Sequence, residues 1–160
     1  MLPDARPLQA DLESAHDAGD GHIVVLAGPD DRRYKHGVLG DAIESTRVLY
    51  LERIETTAPL RAHLEPGTWV PMHCTASGKL LLALLPPARR RRIVDTLPLP
   101  RHTAQTIVDR RRFAAELARV RRDRVATDNE EYLAGLVCVA VPVATADGRV
   151  VASVAVHAPV

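Results

Sequence analysis

The apolar positions of this chain fall into helical and strand-like runs, and their order predicts the fold. Leu8, Leu12 and Ala15 lie at i, i+4 and i+7, which predicts a short amphipathic helix ending at Ala18-Gly19-Asp20-Gly21. Residues 22–27 (HIVVLA) read as a buried strand. The polar stretch 28–47, opened by Gly28-Pro29-Asp30-Asp31, reads as a loop or hairpin excursion. A strand follows at 48–54, with a candidate third at 60–64. Trp69-Val70-Pro71-Met72 is extended, because a residue before proline avoids the helical region. LLLALL at 80–85 is apolar on nearly every face, which predicts a buried helix; Pro86-Pro87 stops it and starts another. That second helix carries Arg89, Arg90, Arg91 and Arg92 outward and Ile93, Val94 and Leu97 inward, and ends at Pro98 and Pro100.

Residues 109–124 give the clearest helix. Asp109 is placed to cap it, and Phe113, Leu117 and Val120 form its apolar stripe. Strands at 125–127, 136–143 and 150–157 close the chain, the last two joined as a hairpin by Ala146-Asp147-Gly148. Helix, strands, three helices, strands: this order predicts one α/β domain with a mainly antiparallel central sheet flanked by helices.

Composition narrows the partners. A chain of 160 residues with 46% hydrophobic and 26% charged content is the size and make-up of one globular domain. Aromatics at 3% leave no stacking platforms of the kind single-stranded nucleic-acid binders use. Residues 89–124 hold twelve arginines against four acids, a local charge of +8; the overall +1 therefore leaves −7 elsewhere. Helical spacing puts most of these arginines on outward faces, so the runs read as solvated surface, with contact to an acidic surface of another copy as the next use. The first residues lack an apolar signal core, and no run reaches the length of a membrane span. Cys74 and Cys138 are thus expected as reduced thiols in the cytoplasm.

Candidate chemistry gathers at three places. Thr75-Ala76-Ser77-Gly78 precedes a helix, where free backbone N–H groups and the positive dipole end favour a carboxylate or phosphate. The same residues equally fit a Thr75 cap with Gly78 giving close helix–sheet packing. Asp128 heads an acidic cluster in which Glu130 and Glu131 read as a solvated turn. Cys138 lies mid-strand, either as small apolar filler or, with His73 or His157 as base, as a nucleophile. His73, Cys74, Asp128, Cys138 and His157 have separations that match no compact zinc signature, so neither a metal nor a cofactor is expected.

Four blocks in order resemble the C-terminal effector-binding domain of IclR-type transcriptional regulators, which has a GAF/profilin-like fold. PMHCTASGKLLLALLP resembles the family's Pro-Leu-His…Gly-Lys segment, Thr106-Ile107…Asp109 with its ELARVR helix the next, TDNEEYLAGLVCVAVPV the Asp-Asp-Glu-Glu…Gly-x-x-Cys-x-Ala-x-Pro block, and DGRVVASVAV the final strand. The resemblance spans roughly residues 8–159.

The resemblance implies a small organic acid bound between sheet and loop by Thr75, Ala76, Ser77, Gly78, Asp128, Leu136, Cys138, Ala155 and His157, with no catalytic residue. Where the family places small hydroxyl residues on the last strand, this chain has Ala155 and His157, which implies a changed ligand. The resemblance also implies a homodimer or tetramer and a sensor that is not an enzyme. Residues 1–20 would form a linker-end helix and 21–160 the sensor core. No helix-turn-helix pattern precedes the sheet, so DNA would be reached only through a partner or a missing N-terminal domain. Two other readings stay open: a Cys/His-dependent hydrolase or acyl-transferase, and a purely structural dimerisation module.

Overall fold

The computed structural model describes residues 22–27, 46–54 and 67–160, of which 22–27 and 51–54 are described as backbone. The expected helix at 8–15, the polar excursion at 28–47 except its last two residues, the strand at 60–64 and the division at residue 20 lie outside the described residues; Arg47 belongs to a strand.

Among the described residues six strands form one sheet in the order β3-β2-β1-β6-β5-β4, every pair antiparallel. They are β1 (His22–Ala27), β2 (Arg47–Ile54), β3 (Trp69–Pro71), β4 (Ala126–Asn129), β5 (Leu136–Ala144) and β6 (Val150–Pro159). Between β3 and β4 run α1 (Ala76–Leu84), α2 (Pro87–Thr96) and α3 (Arg110–Asp123). The chain thus makes the mainly antiparallel α/β sheet that its pattern predicts.

Alternation sets which face of the sheet is covered. Leu136, Cys138 and Ala140 of β5 point into the core with Ala126 and Asp128 of β4 and Ala155 and His157 of β6. On the opposite face Val139, Val141 and Val156 stay 44–48% exposed. Helix α1 lies on the covered face, which is why Ala76 to Ala83 are all buried, and α3 packs against it through Phe113, Leu117 and Val120. The β5–β6 turn needs Gly148, whose φ of +83° is a region that L side chains rarely adopt.

Several boundaries moved, β2 beginning at Arg47 and β6 running on to Pro159 among them, and two bear on the site. Helix α1 starts at Ala76, ahead of the LLLALL run, because Thr75 caps it: its hydroxyl donates to Pro71 O at 2.6 Å and accepts from Gly78 N at 3.2 Å. Strand β4 covers Ala126–Asn129 instead of 125–127, since its ladder to β5 continues through Asn129↔Val137. The Asp109 cap of α3 is observed, with Oδ1 accepting from Arg112 N at 2.8 Å.

Candidate functional site

The strand register builds a polar row inside an apolar sheet. Asp128 pairs with Cys138, and Cys138 with His157, so three polar side chains from β4, β5 and β6 stand side by side on the covered face. The N-terminal turn of α1 faces this row, and together they line one cavity. Its walls are Thr75, Ala76 and Ser77 on the helix side, Asp128, Leu136, Cys138, Ala155 and His157 on the sheet, with Tyr50 and Tyr132 at the margins. Eight of the nine residues expected from the sequence are thus brought together; Gly78 is not among the lining residues. A Cβ there would come within 2.5 Å of Met72 Cα, so glycine serves the close approach of α1 to the preceding loop. Tyr50 and Tyr132 were missed. The alternation of β2, with Val48 and Tyr50 buried, was a signal that pointed to the first.

The cavity encloses about 10 Å³, the volume of about one water-sized sphere. Ser77 is buried, and its hydroxyl has no hydrogen-bond partner among the described residues. Asp128 Oδ1 accepts from the N–H groups of Glu131 at 2.7 Å and Tyr132 at 3.3 Å, closing the turn after β4. Burial nonetheless pushes its carboxyl up to about 6, the Glu131 charge adding to the effect while the two N–H groups and Lys79 oppose it. Cys138 Sγ lies 3.0 Å from His157 Nδ1, and His157 Nε2 lies 3.4 Å from the Tyr50 hydroxyl. Burial and the Asp128 charge hold the Cys138 thiol well above its ordinary value, so the sulfur stays protonated beside the His157 ring.

Glu131 corrects the reading of a solvated turn. Its side chain is buried and ion-paired with Lys79, itself 1% exposed in the middle of α1. Lys79 Nζ also donates to Glu116 Oε1 of α3 at 3.2 Å. Arg119 holds Glu116 by two bonds of 2.9 Å, which together with Lys79 bring that carboxyl down to about 2. Burial raises Glu131, Lys79 pulling it back. Glu130 stays half-buried, its Oε2 accepting from Gly135 N at 2.8 Å. Both cysteines are free. Burial pushes the Cys74 thiol up to about 12 and lowers the pKa of His73.

An antiparallel sheet covered on one face by helices is the architecture of a GAF/profilin-like domain. The family described as "Bacterial transcriptional regulator IclR C-terminal" matches residues 38–160, and the chain belongs to it. The protein described as "Probable transcriptional regulator SauR" of Cupriavidus necator is 52% identical over 150 residues, covering 86% of this chain and 59% of that protein. A transcriptional regulator from Rhodococcus sp. RHA1 superposes with a TM-score of 0.80 at 25% identity, covering 94% of this chain and 55% of that one. The inducer-binding domain of PobR from Acinetobacter, solved as a double mutant with 3-hydroxybenzoic acid, shares the fold at a TM-score of 0.77 and 21% identity, covering 99% and 84%. The chain spans about half the length of the curated relatives it matches. Among the described residues no helix is long and apolar enough to cross a membrane.

Proposed function

We propose that this domain senses a small organic acid for a transcriptional regulator, binding it between α1 and the Asp128–Cys138–His157 row. The observation that carries this reading is Ser77: a buried hydroxyl without a partner among the described residues, at a helix N-terminus and on a cavity wall. An unpaired buried hydroxyl is a standing cost that an acceptor group of a ligand relieves. The helix dipole favours that acceptor being anionic. The fold's occurrence with 3-hydroxybenzoic acid in the Acinetobacter protein makes hydroxybenzoates the first probes.

A cavity of about 10 Å³ admits such an acid only when its walls part. Binding therefore selects an opened arrangement, and the free-energy difference between closed and opened forms is the signal. That signal would pass through a homodimer or tetramer to DNA held by a helix-turn-helix segment or partner. We read the domain as a sensor and not an enzyme because the Cys138 sulfur, though 3.0 Å from an imidazole nitrogen, is buried and held as the thiol. Unaltered ligand binding by Cys138→Ala, with no turnover in the parent protein, is the result that agrees.

The direct test is Ser77→Ala, titrated calorimetrically with 3- and 4-hydroxybenzoate and with short aliphatic acids. Affinity for the acid that binds is expected to fall roughly 10- to 100-fold, the worth of a hydrogen bond to a charged group, about 1.5–3 kcal/mol. Stability without ligand should hold or rise, because the substitution removes an unpaired hydroxyl. A loss of stability with unchanged affinity would sink the reading.

Protonation gives a second handle. Asp128 has its folded value raised to about 6 against an ordinary 3.8, so it binds its proton more tightly in the native state. Its contribution to stability is greatest below the ordinary value, declines as pH climbs toward about 6, and is level beyond. Glu131 raises it further, Lys79 opposes, and Cys138 stands beside it on the sheet with His157 one strand beyond. Carboxylate affinity should weaken as pH rises through about 6, where Asp128 gains its charge, and Asp128→Asn should flatten that profile in titrations from pH 5 to 8.

A further inference from the structure

Outside the cavity, the loop before α1 and the loop between α2 and α3 bring together a second set of chemistry-bearing side chains. One ring nitrogen each from His73 and His102 and the sulfur of Cys74 lie within 4.8 Å of one another. Among the described residues this is the one group with the reach of a shared metal ion. We propose that His73, Cys74 and His102 form a three-ligand site for a borderline transition-metal dication of the zinc class, with the fourth coordination position open to water. Two imidazoles and a sulfur are the donor set such an ion prefers over harder, oxygen-seeking cations. The ion would displace the thiol proton to solvent and take the sulfur as thiolate.

The geometry around the three residues is that of a held site. His73 Nε2 lies 2.9 Å from the carbonyl of Pro100. A carbonyl only accepts, so Nε2 carries the proton and, in the neutral ring, Nδ1 keeps the lone pair; metal-binding histidines are oriented in this way. His102 sits against His73 with ring centroids 5.6 Å apart and edge-on to Tyr132 at 5.3 Å. Its loop is tied down by Thr106. That hydroxyl accepts from His102 N at 3.0 Å and Thr103 N at 2.8 Å, and donates to Glu131 O at 2.7 Å. Thr103 donates in turn to Glu130 O at 2.6 Å. His73 and Cys74 are buried while His102 is exposed, which gives an ion access from solvent. The sequence hid this site because 28 positions separate Cys74 from His102, and only the tethered loop brings them together.

Cobalt(II) added to the tag-free, reduced 160-residue chain reports the site. Expected are the visible bands of a four-coordinate ion and a near-ultraviolet thiolate-to-cobalt band, saturating at one ion per chain and bleached by zinc(II). His102→Ala, on an exposed loop, should leave metal-free melting unchanged and weaken cobalt binding more than ~100-fold, beyond what losing an outer-shell partner costs. Cys74→Ser should remove the near-ultraviolet band, and Cys138→Ser should keep it. No such band in the parent chain, unaltered affinity in His102→Ala, or a band lost with Cys138→Ser instead of Cys74→Ser overturns the proposal.

Discussion

Replacing Lys79 by methionine is expected to destabilise the domain by about 3–5 kcal/mol near neutral pH, the cost of leaving a buried charge without its partner. Methionine keeps the length and apolar stem of lysine, so packing in α1 changes little and the loss is electrostatic. Glu116 keeps its two bonds to Arg119. Glu131 does not fare so well, because Lys79 is its ion-pair partner and its Oε2 has no other partner among the described residues. Burial already raises Glu131, and without Lys79 only the Asn129 backbone N–H still pulls it back. Its folded-state value then lies further above the unfolded one, so the variant's deficit is full at neutral pH and shrinks as acid protonates the carboxylate. Urea unfolding of parent and variant at pH 7 and pH 5 checks both size and direction. Adding Glu131→Gln should recover most of the stability, since exchanging a whole buried pair costs far less than breaking it. A variant equal to the parent at pH 7 would show that the pair carries no net stability.

The same pair shows where sequence reasoning stops. The β5–β6 hairpin and α3 were legible because their signals are local: a turn glycine between alternating runs, and a capping aspartate three residues before the N–H it receives. The polar row was legible in part, since the resemblance named Asp128, Cys138 and His157 but only the register makes them neighbours. Lys79 and Glu131 stand 52 residues apart, and each by itself follows the rule that charged residues face water. Nothing local marks either as buried; their mutual neutralisation is what permits it. His102 and Tyr132 escaped for the same reason. Their roles come from a loop held by the Thr103 and Thr106 hydroxyls, and such bonds leave no periodic trace.

Gly78→Ala sets two physical effects of opposite sign against each other in one residue. Helix propensity alone favours alanine by about 1 kcal/mol at an interior helical position. Packing opposes it: the added methyl would lie 2.5 Å from Met72 Cα, 2.7 Å from Met72 O and 2.6 Å from Thr75 Oγ1. Two of those atoms are backbone and the third is the cap of α1, so none can swing away as the end of a flexible side chain could. Overpacking a site of this kind costs about 1–3 kcal/mol and more where backbone must move. Sterics therefore win, and a net loss of roughly 2 kcal/mol or more is expected in urea unfolding. The damage should not stay local. Relief requires the 72–75 loop to move off α1, which shifts Thr75 and with it the Ser77 wall of the cavity. Acid binding should therefore fall in Gly78→Ala even though residue 78 lines no part of the cavity. Ser77→Ala should lose affinity with stability intact, whereas Gly78→Ala should lose both. Stabilisation of Gly78→Ala by the propensity increment would mean that α1 and the loop stand further apart than described, and that the helix N-terminus is not held against the site.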